Sequence, residues 1–280
     1  MKEITLEELL EAGCHFGHQI TRSNPKARDF VFEARDNIQI IDLAKTKEGL
    51  DSAAEFVKSL GQNGGSILVV GTKRQAKEIV EQEVKRVKEL LENENKDKKG
   101  KIFFVTERWI GGTLTNFSEV SKNFKKLKDL KDKIADKEEK AKYTKKEIGL
   151  WEKEIQRLES FYKGIVEMTE KPAALFIIDS HLEDLAVKEA HNMNVDTVAI
   201  VDTNSDPYLI DYPIPANDDA VGSIKLLVTH IVDSWYEGIK SQKIVKPEDK
   251  SEVKQVKPLE KKAEEVKKEE PKKEEKPKKV

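Results

Sequence analysis

Cysteine is almost absent: Cys14 is the only one in 280 residues. No intramolecular disulfide can form, and a reducing, cytoplasmic setting is expected. Long apolar runs are also missing. None is longer than Ala173–Ile178, far short of the roughly 20 residues needed to cross a bilayer as a helix. The first ten residues carry acids where a secretory signal would carry basic and then apolar side chains. Neither a Walker phosphate loop nor a Gly-x-Gly-x-x-Gly dinucleotide fingerprint occurs, which removes the common nucleotide-binding signatures. Nor does any Ser, Cys or Lys stand beside a base in an arrangement that would make it a nucleophile. No cofactor or resident metal is therefore expected, and no catalysis.

What is abundant is charge. Charged residues make up 37% of the chain, as many as hydrophobic ones, for a formal net charge of −2. The signs are unevenly spread. Residues 243–280 carry 14 Lys against 10 acids and the remainder is −6. Within that remainder, Lys122–Arg157 holds 13 basic and 8 acidic residues, whereas His191–Ile224 holds six Asp and no Lys or Arg. A basic projection and an acidic region on the main body are the expected result.

Thr5 and Glu8 form a capping-box pattern ahead of Leu6, Leu9 and Leu10, which predicts a short opening helix. A loop is expected over Gly13–Pro25. Short β-branched runs follow at Ile38–Ile41, Ile67–Val70, Ile102–Val105, Leu175–Ile178 and Val198–Val201, with helical patterns at Ala53–Leu60, Ala76–Leu91 and Leu182–Ala190. This alternation predicts one parallel sheet with helices on both faces and a functional edge at the carboxyl ends of the strands. Asp42, Gly71, Thr106, Asp179 and Asp202 should stand there.

The alternation breaks between Gly112 and Pro172. Phe117, Val120, Phe124, Leu127 and Ile134 recur at three and four, and Ile148, Trp151, Ile155, Leu158, Tyr162 and Ile165 keep a heptad alternation. Such stripes can bury each other as an antiparallel coiled-coil hairpin turning near Ala141–Thr144, or pack on the sheet domain as ordinary helices. The division expected is an α/β domain over 1–112 and 169–242, an inserted hairpin over 113–168, and a disordered Lys/Glu-rich tail over 243–280.

Several constellations could carry chemistry. Gly71-Thr-Lys73-Arg74 follows a predicted strand and opens a helix, where free backbone N–H groups and two cations suit an RNA phosphate. Asp42, Asp179 and Asp202 could together hold Mg²⁺, or could simply cap turns and helices. Cys14-His15-Phe-Gly-His18 invites a metal reading, but a closed zinc site needs further ligands elsewhere; neutral imidazoles hydrogen-bonded to phosphate or backbone are the alternative. Arg108 and Trp109 could pair with phosphate and stack on a base, or Trp109 could be the buried foundation of the hairpin.

Leu10-Glu-Ala-Gly-Cys-His-Phe-Gly-His-Gln19, Asn24-Pro-Lys26, Ile40-Ile-Asp-Leu-Ala-Lys-Thr46, Val70-Gly-Thr-Lys73, Arg108-Trp-Ile-Gly-Gly-Thr-Leu-Thr-Asn-Phe117, Ile200-Val-Asp-Thr-Asn204 and Ile214-Pro-Ala-Asn-Asp-Asp-Ala220 occur in order. Together they resemble the bacterial ribosomal protein S-two family from about residue 5 to 240. The resemblance implies a flavodoxin-like or Rossmann-like sheet domain with an inserted coiled-coil hairpin, seated between the head and body of the small subunit. It implies binding to small-subunit ribosomal RNA and recruitment of the mRNA-binding ribosomal protein S-one, in support of translation initiation. Carried onto this chain, the RNA-facing positions are His15, His18, Arg22, Asn24, Lys26, Lys73, Arg74, Arg108 and Thr113. The chain departs from the family pattern at Ser23, where Trp is usual, at Ala27, where Met is common, and at Ser180-His181-Leu182, where a basic residue often follows Asp179.

Overall fold

Four of the five expected runs do form a parallel sheet, but the fifth strand is a different one. The computed structural model describes residues 3–94, 99–136 and 142–242. In it β4 (Ile67–Val70), β5 (Ile102–Val105), β6 (Ala174–Ile177) and β7 (Asp196–Val201) are joined by β8 (Tyr212–Pro215), in the order β5-β4-β6-β7-β8, all parallel. Ile38–Ile41, expected in this sheet, instead forms β3 at the centre of a separate antiparallel sheet. Its partners there are β1 (Phe16–Gln19) and β2 (Val31–Arg35). The stretch expected as loop thus contains a strand, followed by two 3₁₀ turns at Ile20–Arg22 and Pro25–Phe30.

Side-chain alternation along the parallel strands builds two cores. Ile67, Val69, Ile102, Phe176, Val198, Ile200 and Ile214 face one side. They pack with Leu50 and Val57 of α2 (Leu43–Gln62), Val80 and Val84 of α3 (Arg74–Glu94), and Leu227, Ile231 and Trp235 of the C-terminal helix Val221–Lys240. Leu68, Val70, Phe103, Val105, Leu175, Ile177 and Val201 face the other side, where the remaining helices sit. Each fully buried aliphatic side chain contributes roughly 1.5–3 kcal/mol, so both faces of the sheet must stay covered.

The insertion comprises α4 (Phe117–Ala135) and α5 (Lys145–Tyr162). Phe124 meets Tyr162 edge-on at 5.4 Å, and the Lys133 ammonium lies over the Trp151 ring. The two helices therefore run antiparallel. Val120, Phe124, Leu127, Leu130, Leu158 and Tyr162 belong to the same apolar cluster as the second sheet face. Thr144 caps α5 through a capping box with Glu147, at the end of the expected turn; residues 137–141 of that turn, and the expected tail at 243–280, lie outside the described residues. Helix α6 (Asp184–Asn192) follows β6, α7 is Val221–Lys240, and α1 (Leu6–Glu11) opens the chain on the capping box read from Thr5 and Glu8.

Both edges of the parallel sheet are closed. At β8, Ala216 N–H donates to Val201 O. Residues 212 and 214 must by alternation also face β7, so Pro213 and Pro215 turn their donor-less nitrogens outward. At β5, Phe104 N–H donates to Gly164 O.

Helices α2 and α7 cross where glycine meets glycine. A Cβ on Gly238 would stand 2.1 Å from Lys58 O, and one on Gly61 2.3 Å from Trp235 O. We expect Gly238→Ala to destabilise the fold by about 1–3 kcal/mol through this backbone clash. Gly149→Ala on α5, where nothing lies within 4 Å of the added methyl, should stabilise by roughly 0.5–1 kcal/mol. Urea unfolding of the two variants checks the opposite signs.

Candidate functional site

Strand order reverses around β4: the chain goes from β4 to β5 on one side and returns to β6 on the other. In open α/β sheets the crevice at such a reversal is where ligands are held. The loops that leave β4 and β6 carry Lys73 and Asp179, and the two meet. The Lys73 ammonium lies 3.0 Å from Asp179, 2.7 Å from Asp218 and 2.7 Å from Asp219. Asp218 and Asp219 come from the loop after β8, so a single cation ties three strand ends together.

Close backbone approaches make this convergence possible. Gly71 passes so near Ile178 and Val80 that a Cβ would fall within 3 Å of either side chain. Gly17 does the same for β1, where a Cβ would meet Thr203 at 2.7 Å. That contact lays the small sheet against the β7 loop, and His18 N–H donates to Thr203 Oγ1 at 2.9 Å. The His18 imidazole enters the same cleft. Its Nδ1 is 3.0 Å from Asp202 Oδ1, off the line of a good hydrogen bond, and its Nε2 is 3.5 Å from Asp219 Oδ2.

The cleft gathers four carboxylates around one ammonium and one imidazole. Asp218 is fully buried, with Oδ1 on Lys73 and Oδ2 without a hydrogen-bond partner. Burial, followed by the charges of Asp179 and Asp202, pushes its carboxyl up to about 8 against the opposing pull of Lys73. Burial would lower the Lys73 ammonium, but the pairing with Asp218 and then Asp219 and Asp179 outweighs it and raises it overall. His18 is raised by its contact with Asp202, which burial only partly opposes. The potential metal ligands brought together here are His18, Asp218 and Asp219. Cys14 is not among them: it is fully buried, and that burial raises its thiol.

Of the nine RNA-facing positions expected from sequence, four stand exposed: Arg22, Lys26, Arg74 and Arg108. Lys26 pairs with Asp206, while Arg22, Arg74 and Arg108 have no carboxylate partner among the described residues. Asn24 caps the 3₁₀ turn, its Oδ1 accepting from Lys26 N–H at 3.0 Å and its own N–H donating to Thr203 O. His15 is half-buried against Phe16. Thr113 is buried and donates to Ile110 O at 2.6 Å. Asp42, read with Asp179 and Asp202 as one acidic edge, caps α2 through Ala44 N–H and sits apart at the end of β3. Asp179 also closes its own turn, accepting from His181 and Leu182 N–H.

Sequence reasoning missed Asp218 and Asp219 as cleft residues, although their Asn-Asp-Asp-Ala run is conspicuous. It also missed Glu189. This buried carboxylate on α6 accepts from Trp109 Nε1, the N–H groups of Gly112, Leu114 and Thr115, and the Thr115 hydroxyl, at 2.7–3.2 Å. Burial tends to raise it and these donors more than reverse that, leaving it below the usual carboxylate range. An acid beside Ala186, Val187 and Ala190 on a buried helix face was the available signal.

A family model described as Ribosomal protein S2 matches residues 9–238. The chain belongs to that family. The match spans the parallel sheet, both helices of the insertion and every loop of the cleft, so membership rests on the whole domain rather than on one motif. An S2-family chain is a structural protein of the small ribosomal subunit. Among the described residues no helix is long and apolar enough to cross a membrane.

Within this S2-family chain the loop of residues 109–115 depends on Glu189. Glu189→Ala would leave five donors to find other partners, several of them buried, and should destabilise the protein by about 3 kcal/mol. Thermal melts of Glu189→Ala beside an exposed-acid control such as Glu119→Ala provide the check; equal losses would show that the carboxylate is dispensable.

Proposed function

We propose that the chain binds small-subunit ribosomal RNA through the carboxyl edge of its parallel sheet, with Arg22, Lys26, Arg74 and Arg108 as phosphate contacts. The observation that carries this reading is the presence of three unpaired arginines on that edge of a body whose net charge is acidic. Exposed guanidinium groups without carboxylate partners are suited to bidentate phosphate pairing. His15, His18, Asn24, Lys73 and Thr113 contribute by building and fixing the loops that present those cations. The helices of residues 113–168 serve as an inserted coiled-coil arm whose charged outer face meets RNA or protein.

The same reading includes help in recruiting the mRNA-binding protein S-one, in the cytoplasm and without catalysis. Exposed apolar side chains on the small sheet, Phe16, Phe32 and Ile38, with Ile20 just beyond β1, support a protein-facing side there. Membership in the S2 family supports both partners. The acidic cleft gives no support to an enzyme, since its charged groups are committed to one another and none stands beside a nucleophile.

Sedimentation of the tagged chain from lysate through a low-magnesium gradient tests the proposal. Co-migration with the small subunit, weakened by salt, is expected. Replacing Arg22, Arg74 and Arg108 together by Gln should lower the slope of log affinity against log salt by about 2–3, as loss of three phosphate contacts requires. Recovery of the parent chain only at the top of the low-salt gradient would refute the reading.

A further inference from the structure

We propose that His18 Nε2 and carboxylate oxygens of Asp218 and Asp219 bind a divalent transition-metal ion of the zinc class, with Asp202 orienting the imidazole from behind. A ligand atom from each of the three residues already lies within 4.8 Å of the others. Ligands about 2.1 Å from a common ion can be no more than about 4.2 Å apart, so the site needs to contract by well under 1 Å. The 3.5 Å between His18 Nε2 and Asp219 Oδ2 is about the edge of such a tetrahedron.

Two further observations point to a cation. Asp218 Oδ2 is fully buried and has no hydrogen-bond partner, while its other oxygen is held by Lys73. Buried polar atoms are rarely left in that state. The second is the balance of charge: Asp179, Asp202, Asp218 and Asp219 surround a single ammonium. A divalent ion on the His18 side of Asp218 and Asp219 would offset two of the remaining negative charges while Lys73 keeps its place on the other side.

The donor set chooses among cations. Imidazole suits zinc and its neighbours, whereas Mg²⁺ prefers an all-oxygen octahedron and keeps most of its waters. Asp202 Oδ1, 3.0 Å from His18 Nδ1, completes the carboxylate–histidine–metal arrangement that fixes the proton on Nδ1 and presents the Nε2 lone pair. Asp219 is half exposed, leaving an outward side on which water completes four-coordination.

The experiment is calorimetric titration of the full-length chain, first stripped by chelator, with Zn²⁺ and separately with Mg²⁺. One zinc per chain at micromolar or tighter affinity is expected, undisturbed by millimolar Mg²⁺. His18→Gln and Asp218→Asn should abolish this binding, and Asp202→Asn should weaken it by about 10–100-fold. Lys73→Met, which removes a neighbouring positive charge, should tighten it. Zinc binding no better than millimolar in the parent chain would overturn the proposal. So would His18→Gln and Asp218→Asn variants that keep the parent far-ultraviolet circular dichroism and bind as the parent does. Zinc-edge X-ray absorption of the loaded parent chain needs no variant: imidazole nitrogen with oxygen ligands is expected, and a sulfur ligand would refute the assignment.

Discussion

The Lys73 ammonium stands where the strand order turns back, and the loops after β4, β6 and β8 close on it. Three carboxylates brought within 3.0 Å of one another's neighbour would repel without it, and removing one member of such a buried pair typically costs about 3–5 kcal/mol. The position of β8 follows from the same contacts, since Asp218 and Asp219 leave that strand directly. The small sheet is held at one remove: Gly17 lets β1 touch Thr203, and His18 then reaches Asp202 and Asp219. Positive charge is consumed inside the cleft, so only cations set further out, at Arg22, Arg74 and Arg108, are left to face an external anion.

Glu189 performs a comparable task for the insertion, by hydrogen bonding rather than by ion pairing. The chain leaves β5, bends at Gly112 with φ +93° and must reach the start of α4, which has no side-chain cap. Turns of this kind leave N–H groups pointing inward. One carboxylate from α6 accepts three of them together with the Trp109 indole N–H, which locks Trp109 into the core instead of leaving its ring for a base. The direction in which α4 departs is thus decided by a residue some 75 positions later in the chain.

The sequence is most legible where burial and periodicity act alone. β4, β5, β6 and β7 carry apolar runs covered on both faces, and the capping box at Thr5 and Glu8 involves only neighbours. The fifth strand was hidden because Tyr-Pro-Ile-Pro looks like a turn, and prolines are tolerated in a sheet only at an edge. Ile38–Ile41 has the composition of a central parallel strand, yet only Ile41 is fully buried; tertiary placement, not propensity, assigned it to the smaller sheet. In the cleft, His18 and Asp202 were singled out separately as imidazole and strand-end carboxylate. Their partnership across 184 residues could not be read from spacing. Lys73 reads from sequence as a phosphate ligand because strand–turn–helix geometry favours anions, and nothing local announces that the anions are supplied by the protein itself.

The two prolines of β8 and the Gly164 strap on β5 have a meaning beyond the fold. A sheet with an open border invites any extended segment to add itself, including the border of a second copy. Here one border offers no donors at the two positions that turn outward, and the other is already occupied by the protein's own backbone. A subunit synthesised apart from its particle can therefore wait at high concentration without nucleating fibres of its own kind.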